Sequence, residues 1–120
     1  MNILVVDDSK EILEALELLL ADKNMTLHTA SDSRLALELF EKNKFDLIIT
    51  DINMPVMSGI EISFEVRKKD ILVPIILFTG QIHKLKDYAP SIDKLGNTYY
   101  VEGKDLNELT KRIESLFPQI

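Results

Sequence analysis

Five short apolar runs punctuate the chain, and between them hydrophobic residues return every three or four positions. Residues 3–6 (ILVV) are continuously apolar, the pattern of a strand covered on both faces. Residues 25–30 (MTLHTA) alternate and carry β-branched side chains, and 45–50 (FDLIIT), 73–79 (VPIILFT) and 98–101 (TYYV) read as three further strands. Pro74 falls among the first residues of its run, where a missing backbone donor is tolerable. The intervening stretches have helical spacing. Ile12, Leu13, Leu16, Leu19 and Leu20 follow a cap at Asp8 or Ser9, while Leu35, Ala36, Leu39 and Phe40 follow Ser31-Asp32-Ser33. A third helix is predicted from Ile60 to Arg67, after Gly59, and a last one behind a capping box of Asp105 and Glu108, with Leu109, Ile113, Leu116 and Phe117 inside. The fourth segment, 81–96, contains Pro90, which predicts a short or two-piece helix. Strand and helix alternating in this way fix the class: an α/β domain with a parallel sheet covered on both faces by right-handed crossovers.

Such a sheet needs a sizeable core, and 120 residues with 46% apolar and 28% charged side chains supply one, as a single domain over 1–120. The net charge of −6 argues against a nucleic-acid footprint, since the densest basic run, Arg67-Lys68-Lys69, is closed by Asp70. Cysteine is absent, which excludes disulfides and thiolate metal sites and suits a reducing cytosol. The opening residues MNILVVDDSK lack the basic start of a signal peptide, and no stretch approaches the ~18 apolar residues of a membrane span. A cytoplasmic protein without membrane insertion is therefore expected.

In an open parallel sheet the ligand site lies beyond the carboxyl ends of the strands. At those ends stand Asp7 and Asp8, Asp51, Thr79-Gly80, and Glu102-Gly103-Lys104. One aspartate there reads as a helix cap; three converging from two strands do not. At about 4 Å and an effective dielectric near 20, each like-charge pair costs roughly 4 kcal/mol. A fold retains such a cluster when a cation neutralises it or protons are taken up, and an all-oxygen donor set points to Mg²⁺. His28 and His83 have no carboxylate at ligand spacing and read as solvent-facing, while Met54, Pro55 and Met57 shape the loop after Asp51.

The motifs VVDDS (5–9), TDINMPVMSG (50–59) and LFTG (77–80), with an aromatic in the fifth strand, resemble the receiver domain of two-component response regulators over the whole chain. The second motif is the most specific, with its acceptor aspartate, Met-Pro pair and glycine at fixed offsets. The resemblance implies the doubly wound, flavodoxin-like receiver fold with strand order 2-1-3-4-5. It implies that Asp51 is the phosphoacceptor for a histidine kinase or phosphotransfer protein, a carboxylate nucleophile of a known kind. Asp8 and Asp51 would ligate Mg²⁺ directly, Asp7 directly or through water, and Asn53 through its backbone carbonyl. Thr79 matches the hydroxyl that bonds the phosphoryl group, Gly80 the residue that leaves it room, and Tyr99 the aromatic that switches rotamer. The function implied is a stand-alone receiver with no output domain, a phosphoacceptor rather than an enzyme, docking on a downstream target protein.

One position departs from the pattern. The family's strand-five lysine falls on Glu102, and the proline after it on Gly103. A loop without that proline is expected to take a trans path, because non-proline cis bonds cost about 3 kcal/mol. Two arrangements are open: Glu102 points into the acidic pocket as a fourth carboxylate, or Lys104 reaches back as a substitute ammonium. Strand alternation would put 102 and 104 on the same side. The departure keeps a second function in view, a pseudo-receiver that binds proteins independently of phosphorylation. A small aspartyl-nucleophile phosphatase is disfavoured because DDSK lacks the Asp-x-Asp spacing. A flavin carrier is disfavoured because the first loop offers no phosphate cradle.

Overall fold

The computed structural model describes residues 1–21, 24–80 and 85–118, with the backbone alone at 85–89. Its ten elements alternate as the hydrophobic pattern requires: β1 (Asn2–Val6), α1 (Lys10–Leu19), β2 (Thr26–Ala30), α2 (Ser33–Lys42), β3 (Leu47–Thr50), α3 (Gly59–Arg67), β4 (Ile75–Thr79), α4 (Leu85–Leu95), β5 (Thr98–Glu102) and α5 (Leu106–Leu116). The sheet is parallel throughout, in the order β2-β1-β3-β4-β5. This is the expected doubly wound topology.

The period-two alternation of the strands sorts the core into two layers. Leu4, Val6, Ile48, Ile75 and Leu77 face one side, where Ala36 of α2, Ile62 and Val66 of α3 and Ile92 of α4 cover them. Ile3, Val5, Leu47, Ile49, Ile76 and Phe78 face the other, beneath Leu13 and Leu16 of α1 and Leu109 and Ile113 of α5. Both faces of the central strands are dry, which explains why their sequences read as unbroken apolar runs.

Local capping sets the helix starts. Ser9, rather than Asp8, caps α1 by accepting from Ile12 N, and Asp32 caps α2 by accepting from Leu35 N at 2.8 Å. Ser58 and Glu61 form a reciprocal capping box that starts α3 at Gly59, one residue before the predicted Ile60. Asp105 accepts from Asn107 N and Glu108 N, but the Glu108 carboxylate meets Lys111 at 3.4 Å instead of closing the expected box.

Two other expectations are corrected. α4 is one continuous helix from Leu85 to Leu95 with Pro90 inside it, not a short or divided one. Proline deletes a single donor, and Pro90 itself is exposed, while Ile92 and Leu95 are buried and hold the following turn to the core. His28 is half-buried, its ring edge-on to Phe45 with centroids 5.3 Å apart, because β2 is an edge strand that packs one flank inward. His83 lies outside the described residues.

Candidate functional site

Register gathers the first half of the site. β1 and β3 are neighbours with Val6 opposite Thr50, so the next residues, Asp7 and Asp51, leave the sheet side by side. Their backbones stay in the ladder: Asp51 N donates to Val6 O at 2.9 Å, and Asp7 N to Ala30 O at 3.1 Å. One carboxylate oxygen from each of Asp7, Asp8 and Asp51 lies within 4.8 Å of the others. Asp7 and Asp51 are buried, at 2% and 7% exposure, and Asp8 is exposed.

The loop after β3 fixes the Asp51 side chain. Asn53 N donates to Asp51 Oδ1 at 3.2 Å. The Asp51 carbonyl accepts from the Thr50 hydroxyl at 3.1 Å. It also runs so close to Gly59 that a Cβ there would stand 2.0 Å from the oxygen, which is why α3 must begin on a glycine. Val56, fully exposed with φ of 72°, makes the turn in a left-handed conformation that β-branched residues seldom adopt.

The second half comes from β4 and β5. Thr79, buried at the end of β4, pairs in register with Glu102, the last residue of β5. The chain then turns through two left-handed residues, Gly103 (φ 71°) and Lys104 (φ 52°), and no cis peptide bond occurs among the described residues. Lys104 N donates to Thr79 O at 3.2 Å. The side chain doubles back over Gly80, where a Cβ would meet its Cγ at 3.5 Å, and its ammonium stands 5.7 Å from the Phe78 ring centroid. Nζ ends hydrogen-bonded to Asp7 Oδ2 and, at 3.2 Å, to Asp51 Oδ2. Glu102 is exposed and lines a groove of about 400 Å³ with Tyr100, Glu108 and Lys111. Of the two arrangements open in the sequence, the structure has Lys104 in the pocket and Glu102 outside it. The alternation argument for a shared side was wrong: the strand ends at Glu102, and the left-handed turn sends the two side chains apart.

Electrostatically the pocket is tense. Burial pushes the Asp51 carboxyl above the usual carboxylate range, Lys104 pulls it back, neighbouring Asp7 pushes it up further, and the hydrogen bonds from Lys104 and Asn53 N pull it down. Buried oxygen donors of this kind fit a hard divalent cation such as Mg²⁺, which takes one or two carboxylates and keeps waters. Tyr99, by contrast, is apart from this cluster. It is half-buried against the α5 side of the core, its hydroxyl donates to Asn97 Oδ1 at 2.9 Å, and the Arg112 guanidinium lies 5.3 Å from its ring centroid.

Several of these residues gave little or no signal in sequence. Phe78 looks like any apolar strand residue until Lys104 is seen over it, and the partners of Tyr99 come from a loop and a helix with no motif. The Ser58-x-x-Glu61 pattern is a signal that the sequence reading missed: as a capping box it shows why the loop after Asp51 ends where it does.

The response regulator receiver domain family matches residues 3–114. The transcriptional regulatory protein DltR of Streptococcus agalactiae is 34% identical over 113 residues, covering 94% of this chain and 50% of that protein. The response regulator ArlR of Staphylococcus epidermidis is 30% identical over 115 residues, covering 96% and 52%. The chain thus spans about half the length of the curated relatives it matches. Among solved structures, the chemotaxis response regulator CheY4 of Vibrio cholerae superposes with a TM-score of 0.85 at 32% identity, covering 97% of this chain and 98% of that one. The response regulator TrrA of Thermotoga maritima, solved in complex with Mg(2+)-BeF, gives 0.82 at 34% identity and the same coverage.

Proposed function

The chain belongs to the response regulator receiver family, and on that premise we propose that it is a phosphorylation-controlled binding module whose acceptor is Asp51. The observation that carries this reading is the cluster of Asp7, Asp8 and Asp51 carboxylates at the carboxyl ends of two central strands, with a lysine ammonium on two of them. A phosphohistidine on a histidine kinase or phosphotransfer protein is the donor. An Asp51 carboxylate oxygen forms the new P–O bond as the donor's N–P bond breaks. The electron pair stays on the imidazole nitrogen, which takes a proton from solvent. Phosphoryl transfer asks the protein for positioning and charge neutralisation more than for covalent help.

This chain supplies both. Asn53 N orients the acceptor carboxylate, Gly59 lets its backbone close up, and the Thr79 hydroxyl at the end of β4 is assigned to a phosphoryl oxygen. Asp8 and Asp51, with Asp7 directly or through water and the Asn53 carbonyl, would hold Mg²⁺, which when bound neutralises charge shared between carboxylate and phosphoryl oxygens. The bound phosphoryl group then biases a two-state equilibrium of the α4–β5–α5 face, with Tyr99 as its reporter, and a target protein reads the shifted population. We read the module over 1–120 as a cytoplasmic phosphoacceptor and not a turnover enzyme. Its net charge of −6 favours protein over nucleic-acid partners.

Incubation with acetyl phosphate and Mg²⁺ tests the assignment. Wild type should gain one acid-labile phosphate by intact mass, and Asp51→Asn none. Label persisting in Asp51→Asn would refute the acceptor. A second reading, a phosphorylation-independent interaction module, draws on the ties of Tyr99 to Asn97 and Arg112. It predicts target binding indifferent to the label.

A further inference from the structure

The ammonium in the pocket comes from an unusual place. It is carried not by the strand but by the turn behind it, and the turn is held at both ends: Lys104 N is tied to Thr79 O, and Asp105 caps α5. Two consecutive left-handed residues, one of them a lysine, are needed to send the side chain back. A lysine free to choose would rather extend into water; this one is four-fifths buried, over Phe78.

Its position also coincides with the carboxylates that a metal would use. Asp7 Oδ1 accepts from Ser9 N at 2.9 Å and Asp7 Oδ2 from Lys104. Asp51 Oδ1 accepts from Asn53 N at 3.2 Å and Asp51 Oδ2 again from Lys104. Every oxygen of the two buried carboxylates therefore has a donor already. A divalent ion with near-octahedral demands must compete for these oxygens with an ammonium a few ångströms away, since the two cations repel more strongly than two unit charges at that distance.

We propose that Lys104 is the resident cation of the pocket: it bridges Asp7 and Asp51 at rest, gives up Asp7 to a divalent ion, and turns to the phosphoryl oxygens on Asp51. Glu102 takes no part. The inference rests on the receiver reading for its phosphoryl half, while its metal half stands on the ion pairs alone. It makes one residue act in two opposite directions, opposing the metal and supporting the phosphoryl group, which a merely structural lysine would not do.

The test is calorimetric titration of Mg²⁺ into wild type, Lys104→Ala, Lys104→Gln and Glu102→Ala. It is paired with titration of beryllofluoride at saturating Mg²⁺, followed by amide NMR shifts. Losing the ammonium should tighten Mg²⁺ roughly tenfold and loosen beryllofluoride roughly tenfold, the scale of one charge-assisted contact. Lys104→Gln, which keeps most of the stem, should follow Lys104→Ala in both, and Glu102→Ala should leave both within about twofold of wild type, because its side chain is outside the pocket. Mg²⁺ affinity unchanged or weakened in both Lys104 variants overturns the resident cation. A wild type that binds Mg²⁺ but takes no beryllofluoride at Asp51 sinks the receiver reading instead, and the metal titration still decides the role of Lys104.

Discussion

The two corners of the site are built on different principles. At the β1–β3 corner, Asp7 and Asp51 are fixed by two adjacent central strands whose backbones remain in the ladder up to the aspartates themselves. At the β4–β5 corner the strand is an edge strand, and the critical side chain lies two residues beyond its end on a left-handed turn. A register between buried strands is stiff, because slipping it by one residue would turn every side chain to the opposite face. A turn is adaptable: exchanging a proline for a glycine re-aims the following residue without disturbing the sheet. The difference teaches where a receiver pocket tolerates change. The charge that must be negative is locked into the core, and the charge that must be positive arrives on a segment that can be rerouted.

The sharpest way to break the first corner is Gly59→Ala. A Cβ there would overlap the Asp51 carbonyl and press on Ile52 Cα, both backbone, so no side chain can swing aside. A loss of about 3 kcal/mol is expected, a fall in melting temperature on the order of 10 °C, together with loss of acetyl phosphate labelling. Thermal denaturation that matches wild type would show that the acceptor loop is not rigid after all. The next largest effect belongs to the second corner. Arg67, at the end of α3, donates to the carbonyls of Leu95, Gly96 and Asn97, and so ties the end of α4 to the entry of β5. Arg67→Met should cost about 2 kcal/mol and speed amide exchange across 96–99. Mg²⁺ affinity should stay as it is, since Lys104 is held to Thr79 O at the far end of β5 from this contact. A weakened metal response in Arg67→Met would mean that the corners are one unit.

How much of this was legible beforehand follows the same division. The central strands announced themselves as apolar runs, and their ends placed Asp7, Asp8 and Asp51 before any coordinates, because burial on both faces leaves a strand little choice. The starts of the strands were less legible. MTLHTA, FDLIIT and VPIILFT begin later as strands than their sequences suggest, at Thr26, Leu47 and Ile75, since only the paired part of an apolar run counts as strand. The sequence leaves Glu102 and Lys104 as alternatives because a glycine admits either hand of turn, and which hand occurs depends on Thr79 and Asp105 closing around it. Pro90 was over-read: propensity gives the cost of a lost donor but not the burial of Ile92 and Leu95 that offsets it.

Acidity sharpens the comparison from the side of the first corner. Burial holds the Asp51 carboxyl above its ordinary value, so between that value and the raised one the native state binds more protons than the unfolded chain. Unfolding free energy therefore falls as pH rises through this window, and the charged acceptor is a net burden at neutral pH. Asp51→Asn should be modestly more stable than wild type at pH 7, and the advantage should shrink as the pH falls from the raised value towards about 4, the unperturbed value for aspartate, and level off below it. Urea melts of both proteins across pH 3 to 7 would read this, and an advantage independent of pH would assign it to something other than ionisation. Mg²⁺ should stabilise wild type at pH 7 and do less for the variant.

The smallest expected effect concerns Tyr99, and it asks whether Lys104 is coupled to that ring. The ring is held from α5 by Arg112, and its hydroxyl by Asn97, neither of which touches the pocket. A cation–π contact at a partly exposed site is worth about 0.5 to 1 kcal/mol, small beside folding but comparable with the bias that a two-state side chain needs. Arg112→Ala should therefore leave stability within about 1 kcal/mol and broaden or shift the Tyr99 ring signals even without beryllofluoride. In wild type the same signals should move only partly on beryllofluoride binding. Lys104 lies beyond the end of β5, on a turn tied to Thr79 O, so little of its displacement is passed along β5 to a ring tied at the strand's other end. Arg112→Ala should complete that movement. If wild-type Tyr99 shifts fully in one step, and neither Arg112→Ala nor Lys104→Ala alters the shift, the strand transmits as a rigid rod, and the two corners differ in how they were built but not in how they work.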